Sequence, residues 1–251
     1  MKQRLLERLL EEKEMRLKDG LYHQTQISFS YNSNKIEGSR LSEDQARYIY
    51  ETNTVTMEMV KMIAEDDIVE TVNHFSCFDY MLLHTDEELT EDLIKEFHLL
   101  LKRNTSDANK EWFQIGGYKL RPNVVGDRKT TAPSKVGSEI QKLLSDYTMR
   151  KEIMVEDVVD FHYRFERIHP FQDGNGRVGR IILFKECLKH DILPFIINHK
   201  HKLFYYRGLT EYATEQGYLM GTCLSAQDEY EKVVSYFYPD FSGSSQEMKQ
   251  S

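Results

Sequence analysis

His169-Pro170-Phe171-Gln172-Asp173-Gly174-Asn175-Gly176-Arg177-Val178-Gly179-Arg180 gathers, within twelve residues, a base, a carboxylate suited to a hard metal, a glycine-bracketed turn and two arginines. That is equipment for phosphate chemistry. Upstream, Val158, Val159, Phe161, Phe165 and Ile168 recur at helical spacing, and Pro170 disfavours the α conformation at His169, so a helix is predicted to end at or just before His169. The glycines on either side of Asn175 permit positive φ and close backbone approach. Consecutive N–H groups can then point into one concavity, ahead of a helix predicted to begin near Arg177. Such a nest at a helix N-terminus binds phosphate.

Each side chain has a task available to it. His169 titrates near neutrality and can accept a proton from an attacking hydroxyl, Asp173 offers an oxygen ligand to Mg²⁺, and Arg177 and Arg180, nearly one turn apart, can reach the same anion. Taken singly, the same residues also read as a capping histidine, a turn Asp-Gly and two solvated arginines. The combination is what points to a site.

The stretch resembles the signature of the Fic family, H-x-F-x-[DE]-G-N-G-R-x-x-R, with every fixed position filled. At about 5% average usage per residue, eight such matches arise by chance roughly once in 10⁹ windows or less often, which removes coincidence as an explanation. The resemblance implies an all-α fold, a Fic-type helical domain with a small β-hairpin flap next to the active site. It further implies transfer of AMP from Mg·ATP to a Ser, Thr or Tyr hydroxyl of a target protein. In that reading His169 is the base, Phe171 anchors the loop, Asp173 holds Mg²⁺, Gly174, Asn175 and Gly176 bind phosphates, and Arg177 and Arg180 hold the β and γ phosphates. A relative that phosphorylates instead carries lysine at the position of Gly176, so Gly176 favours adenylyl transfer. Tyr205 and Tyr206 resemble an aromatic pair that helps form the adenine pocket.

Ser33 and Glu37 stand one helical turn apart and Gly38 can terminate a helix. Many Fic proteins carry an inhibitory helix with this pattern, here about residues 28–38, whose glutamate pairs with the second signature arginine and excludes the γ-phosphate. The implied pair is Glu37 with Arg180. Residues 113–134, with glycines, a short β-branched run and a proline, suit a hairpin. They match the family's flap, which grips the target segment by strand addition.

Forty per cent apolar residues and five prolines in 251 support a helix-rich globular chain, and a net charge of −8 argues against a nucleic-acid-binding surface. Residues 1–27 read as an amphipathic helix, with Leu5, Leu6, Leu9, Leu10 and Leu17 among charges, and a connector; the helix either packs on its own domain or offers a homo-oligomer seam. Residues 28–238 read as the Fic domain and 239–251 as a disordered tail. Between Glu43 and Leu101 apolar spacing predicts successive helices, including a run through Val60, Ile63, Ala64 and Ile68, while Glu65-Asp66-Asp67 reads as a solvated acidic face. His74, His84 and His98 read as surface or satisfied core histidines. Cys77, Cys187 and Cys223 read as buried free thiols, which suits a reducing cytoplasm, and neither a signal peptide nor a membrane span is expected.

Two other functions share these residues. Glu37 could position water to strip AMP from a modified protein, or the site could sense ATP without chemistry. Self-modification is a further outcome of the transferase reading.

Overall fold

The periodicities resolve, in a computed structural model that describes residues 4–239, into helices in unbroken succession with one short hairpin. The helices are α1 (Leu5–Glu14), α2 (Leu21–Ile36), α3 (Glu43–Thr52), α4 (Met57–Met62), α5 (Glu65–Leu83), α6 (Glu91–Lys102), α7 (Val136–Thr148), α8 (Val155–Ile168), α9 (Asn175–Lys189), α10 (Lys202–Glu211) and α11 (Gly217–Phe237). Strands β1 (Val124–Val125) and β2 (Arg128–Lys129) pair antiparallel, Val124 opposite Lys129 and Val125 opposite Arg128. Gly126, at φ +57, makes the tight reversal between them. The fold is all-α.

Helix α9 is the axis of the core. Every residue from Arg177 to Leu188 is buried, so it has no solvent face, and α2, α5, α6 and α8 pack around it. Phe184 stacks on Phe29 of α2 (centroids 5.1 Å apart) and meets Phe78 of α5 edge-on (5.4 Å), tying three helices at one point. Leu5, Leu6 and Leu9 of α1 join this same core. The three cysteines are buried free thiols.

Several boundaries differ from the sequence-based expectations. Helix α2 begins at Leu21, so the proposed division at 27/28 falls inside a helix, and α1 stops at Glu14, before Gly20. The Val60–Ile68 run is two helices: Ile63 is extended and Ala64 caps α5, whose first turn is Glu65-Asp66-Asp67. Acidic residues favour a helix start, because they face the exposed N–H groups and positive dipole end. Asp66 also accepts the Ser106 N–H (2.8 Å) and Asp67 the Arg40 N–H (3.0 Å), so the triplet is pinned rather than merely solvated. The hairpin occupies only residues 124–129 of the expected 113–134; the rest is turn and coil, apart from a 3₁₀ turn starting at Pro133. Of the expected tail, 240–251 lies outside the described residues. Among the described residues no helix is long and apolar enough to cross a membrane.

Candidate active site

Helix α8 ends at Ile168, and His169 takes the left-handed conformation (φ 54) that turns the chain into the signature loop. Phe171 is fully buried and lies flat on His98 of α6, with ring centroids 3.9 Å apart and planes 3° apart. His98 also accepts the Gly116 N–H at Nδ1 (3.0 Å) and donates from Nε2 to Asp173 O (3.2 Å), so one buried ring holds both ends of the loop. The Asn175 side chain closes it further, accepting the Phe171 N–H (2.8 Å) and donating to Phe171 O (2.9 Å). That side chain is occupied within the loop, which leaves the backbone of Asn175 for an anion.

Helix α9 starts at Asn175, two residues before the expected Arg177. Gly174 is its N-cap at φ +80, but Gly176 is helical and needs no positive φ. The first-turn N–H groups of a helix have no intrahelical acceptor, and Val178 is the first to bond back, to Gly174 O (3.0 Å). The unpaired N–H groups are therefore those of the helix start itself, a kind of place where anions bind. Space favours glycine at 176: a Cβ there would clash with Glu37 Oε1, which would have to shift, and stand 3.0 Å from an Arg180 nitrogen.

Arg180 is buried and directed by α2. Its Nε donates to Ser33 Oγ (3.0 Å), and its NH2 donates to Ser33 O (2.9 Å) and to Glu37 Oε1 (2.7 Å). Ser33 and Glu37 meet one guanidinium because they are a turn apart, Glu37 being the C-cap of α2, followed by Gly38 at φ +106. Arg177 turns the other way, pairing with Glu70 and donating to Asp173 Oδ2 (3.1 Å). The buried Lys102 ammonium bridges Asp173 (2.8 Å), Glu70 (2.7 Å) and Asp107 (2.7 Å). Burial opposes charge on Asp173, but Arg177 and Lys102 outweigh it and hold the carboxyl well below the usual range.

A cavity of about 600 Å³, within the range of small-molecule sites, opens between α2, α8, α9, α10 and the hairpin. His169, Gly176, Arg180, Glu37, Tyr205 and Tyr206 line it. Asp173, Asn175 and Arg177 do not. Tyr205 is buried with its hydroxyl 2.6 Å from His162 Nε2, and the half-buried Tyr206 donates to Ile36 O (3.2 Å). Burial, then Lys119 and Arg128, lowers His169 to about 4, so the imidazole is neutral at pH 7. Lys119, itself lowered to about 8 by burial, ties the base of the hairpin to the loop through Asn123 (2.8 Å), Thr130 (2.6 Å) and Ile168 O (3.4 Å).

For a hard divalent cation the donor set is one ionised, roughly half-exposed carboxylate, Asp173, beside the helix start. Mg²⁺ takes one or two carboxylates and completes its shell with phosphate oxygens and water, so the residue fits such an ion.

Residues 88–186 match the Fic/DOC family. That stretch, which holds the whole signature, is similar to a Fic domain. Protein adenylyltransferase Fic of Nematostella vectensis is 26% identical over 190 residues, covering 72% of this chain and 42% of its own. Protein adenylyltransferase fic-1 of Caenorhabditis elegans is 25% identical over 197 residues, covering 75% and 37%. The chain thus spans about two fifths of the length of these relatives. A Fic-domain signalling protein of Bacteroides thetaiotaomicron superposes with a TM-score of 0.72 over 92% of this chain and 94% of its own, at 19% identity, which shows the fold.

Sequence reasoning missed Glu70, His98, Lys102, Lys119, Arg128 and Glu166 as residues that line or brace the candidate site. Glu166 was within reach, since it lies three residues before His169 on the face of α8 that leads to it.

Two predictions arise from this packing. Gly176→Ala should cost about 1–3 kcal/mol by overpacking against Glu37, and the loss should largely vanish in a Glu37→Gly background. Thermal unfolding of the four proteins measures it; equal losses in both backgrounds would contradict the contact. The second concerns pH. His74, His98 and His162, each lowered to about 3 chiefly by burial, and His169, lowered to about 4, refuse protons that the unfolded chain accepts below about 6.5. Their contribution is complete above pH 6.5 and is lost as pH falls, by roughly 1.4 kcal/mol per pH unit for each group. Glu166, raised by burial to about 7 from 4.5, and Asp79, also raised by burial, act oppositely, two groups against the four histidines. The urea midpoint should be clearly lower at pH 5 than at pH 7; an unchanged midpoint would show that these histidines are not buried and neutral.

Proposed function

We propose that this Fic domain is a protein adenylyltransferase, moving AMP from Mg·ATP to a Ser, Thr or Tyr hydroxyl of a target protein, and that Glu37 restrains it by occupying Arg180. The observation that carries the reading is that a neutral imidazole, a buried guanidinium and Gly176 of the first turn of α9 line one cavity. Relatives named as protein adenylyltransferases support it.

The nucleotide would lie with its adenine toward Tyr205 and Tyr206 and its phosphates along the first turn of α9, where N–H groups and the positive dipole end face the anion. His169 accepts the proton of the attacking hydroxyl as that oxygen bonds to the α-phosphorus; the α–β bond breaks and pyrophosphate leaves. Asp173 would hold Mg²⁺, which supplies charge neutralisation on the phosphates. Arg180 would bind the γ-phosphate once Glu37 withdraws, because one guanidinium fork cannot serve a carboxylate and a phosphate together.

Target binding falls to the hairpin. Val124 and Val125 are 63% and 43% exposed, an apolar edge suited to strand addition. Arg128 fixes the hairpin to the end of α8 by donating to Glu166 O (3.2 Å) and Arg167 O (3.0 Å). Buried free thiols suit a reducing cytoplasm.

The products test this reading. Released pyrophosphate and a target heavier by one AMP are expected, and Asp173→Ala should raise the Mg²⁺ concentration needed for half-maximal rate. A target that gains phosphate while ADP is released would reverse the nucleotide's orientation and overturn it.

A further inference from the structure

Between the histidines of α8 lies a carboxyl group that nothing so far employs. Glu166 lines the cavity, its side chain only 13% exposed, and its Oε1 is buried with no hydrogen-bond partner among the described residues. Its Oε2 lies 3.9 Å from His169 Nδ1, which is also buried and without a hydrogen bond. Nδ1 is therefore the inward nitrogen of the imidazole, and Nε2 is the one left for the cavity. On the far side of Glu166, α9 comes so close that a Cβ at Gly179 would stand 2.9 Å from Glu166 Oε1 and from His162 Nδ1. His162 is in turn fixed by Tyr205. Only glycine permits that approach, so Glu166 is walled in by α9 and His162 and opens toward His169.

We infer that Glu166 is the positioning residue of the reaction: its carboxylate accepts the Nδ1–H of His169 and so keeps Nε2 unprotonated and aimed at the attacking hydroxyl. The inference rests on reading His169 as the base. At 3.9 Å the pair is poised rather than bonded, as catalytic hydrogen bonds often are before substrate binds. A buried carboxyl without a partner is costly, and a role explains why it stands here rather than an apolar side chain. When His169 takes the hydroxyl proton on Nε2, the imidazolium forms beside Glu166, whose negative charge offsets it; the proton stays on His169 until solvent removes it. Burial, reinforced by Glu37, raises Glu166 to about 7, so it is half ionised near neutrality and gains charge readily when a cation forms next to it.

The test uses Glu166→Gln, which keeps shape and removes charge, in the Glu37→Gly background. It should lower kcat by roughly 10²-fold or more while leaving ATP affinity within twofold, and ¹⁵N NMR of the side chains should show His169 losing its preference for the Nδ1–H tautomer. In a His169→Ala background, Glu166→Gln should change nothing further, since both act through one imidazole. A kcat within twofold with an unchanged tautomer, while His169→Ala abolishes transfer, would overturn this inference and leave the base assignment standing. Transfer that survives His169→Ala would overturn the base assignment, and the inference with it.

Discussion

His169→Ala should bind ATP as tightly as the unaltered protein and transfer AMP about 10²–10⁴-fold more slowly, the usual contribution of a general base. The split would follow from where the groups lie: on the proposed reading the phosphates meet the first turn of α9 and Arg180, while His169 stands at the end of α8. Its left-handed backbone and the stacking of Phe171 on His98 hold the loop independently of the imidazole, so the variant should fold. Isothermal titration with ATP and single-turnover transfer separate the two quantities. Residual turnover within about tenfold of the starting protein would remove His169 from the role of base.

Glu37→Gly should raise AMP transfer by about ten- to a hundredfold. Glu37 and Arg180 share a charged hydrogen bond of 2.7 Å, and such bonds are worth roughly 1.5–3 kcal/mol, which on the proposed reading a γ-phosphate would have to overcome before the nucleotide sat in line for attack. The carboxylate competes at high effective concentration because it ends a helix that is itself packed in the core. Arg180→Ala should cancel the gain, since both effects pass through one guanidinium. Self-modification on exposed hydroxyls should rise in parallel. Unchanged transfer at saturating Mg·ATP with a verified target would dismiss the inhibitory contact; loss of AMP removal from a modified target would assign Glu37 to hydrolysis instead.

The parts of this site that were readable in the sequence are those whose partners are local or carried by a contiguous motif. The signature places His169, Gly176 and Arg180 around one loop, and Ser33 with Glu37 is a single-turn pattern that identifies itself once an arginine is looked for. What stayed hidden is long-range. Lys102 meets Asp173 from α6, Glu70 meets Arg177 from α5, and His98 lies under Phe171; no local pattern links these residues to the loop. The reason for glycine at 176 is hidden in the same way. That glycine was explained by backbone freedom, whereas the residue is helical and the constraint is the Glu37 carboxylate arriving from another helix. The Val60–Ile68 run failed differently: apolar spacing continued through Ile63, but three acidic residues in a row supplied a stronger signal for a new helix start than the periodicity did for continuity.

The most direct measurement pairs two labelled nucleotides. The Glu37→Gly protein is incubated with Mg²⁺, a lysate as the source of targets, and ATP labelled either at the α-phosphate or at the γ-phosphate. Label from the α position should appear on protein, in the target and in the chain itself, with the γ label released as pyrophosphate; both signals should disappear in the Glu37→Gly, His169→Ala double variant. Protein labelled from the γ position, or no labelled protein from either nucleotide, would contradict the assignment of this cavity to AMP transfer.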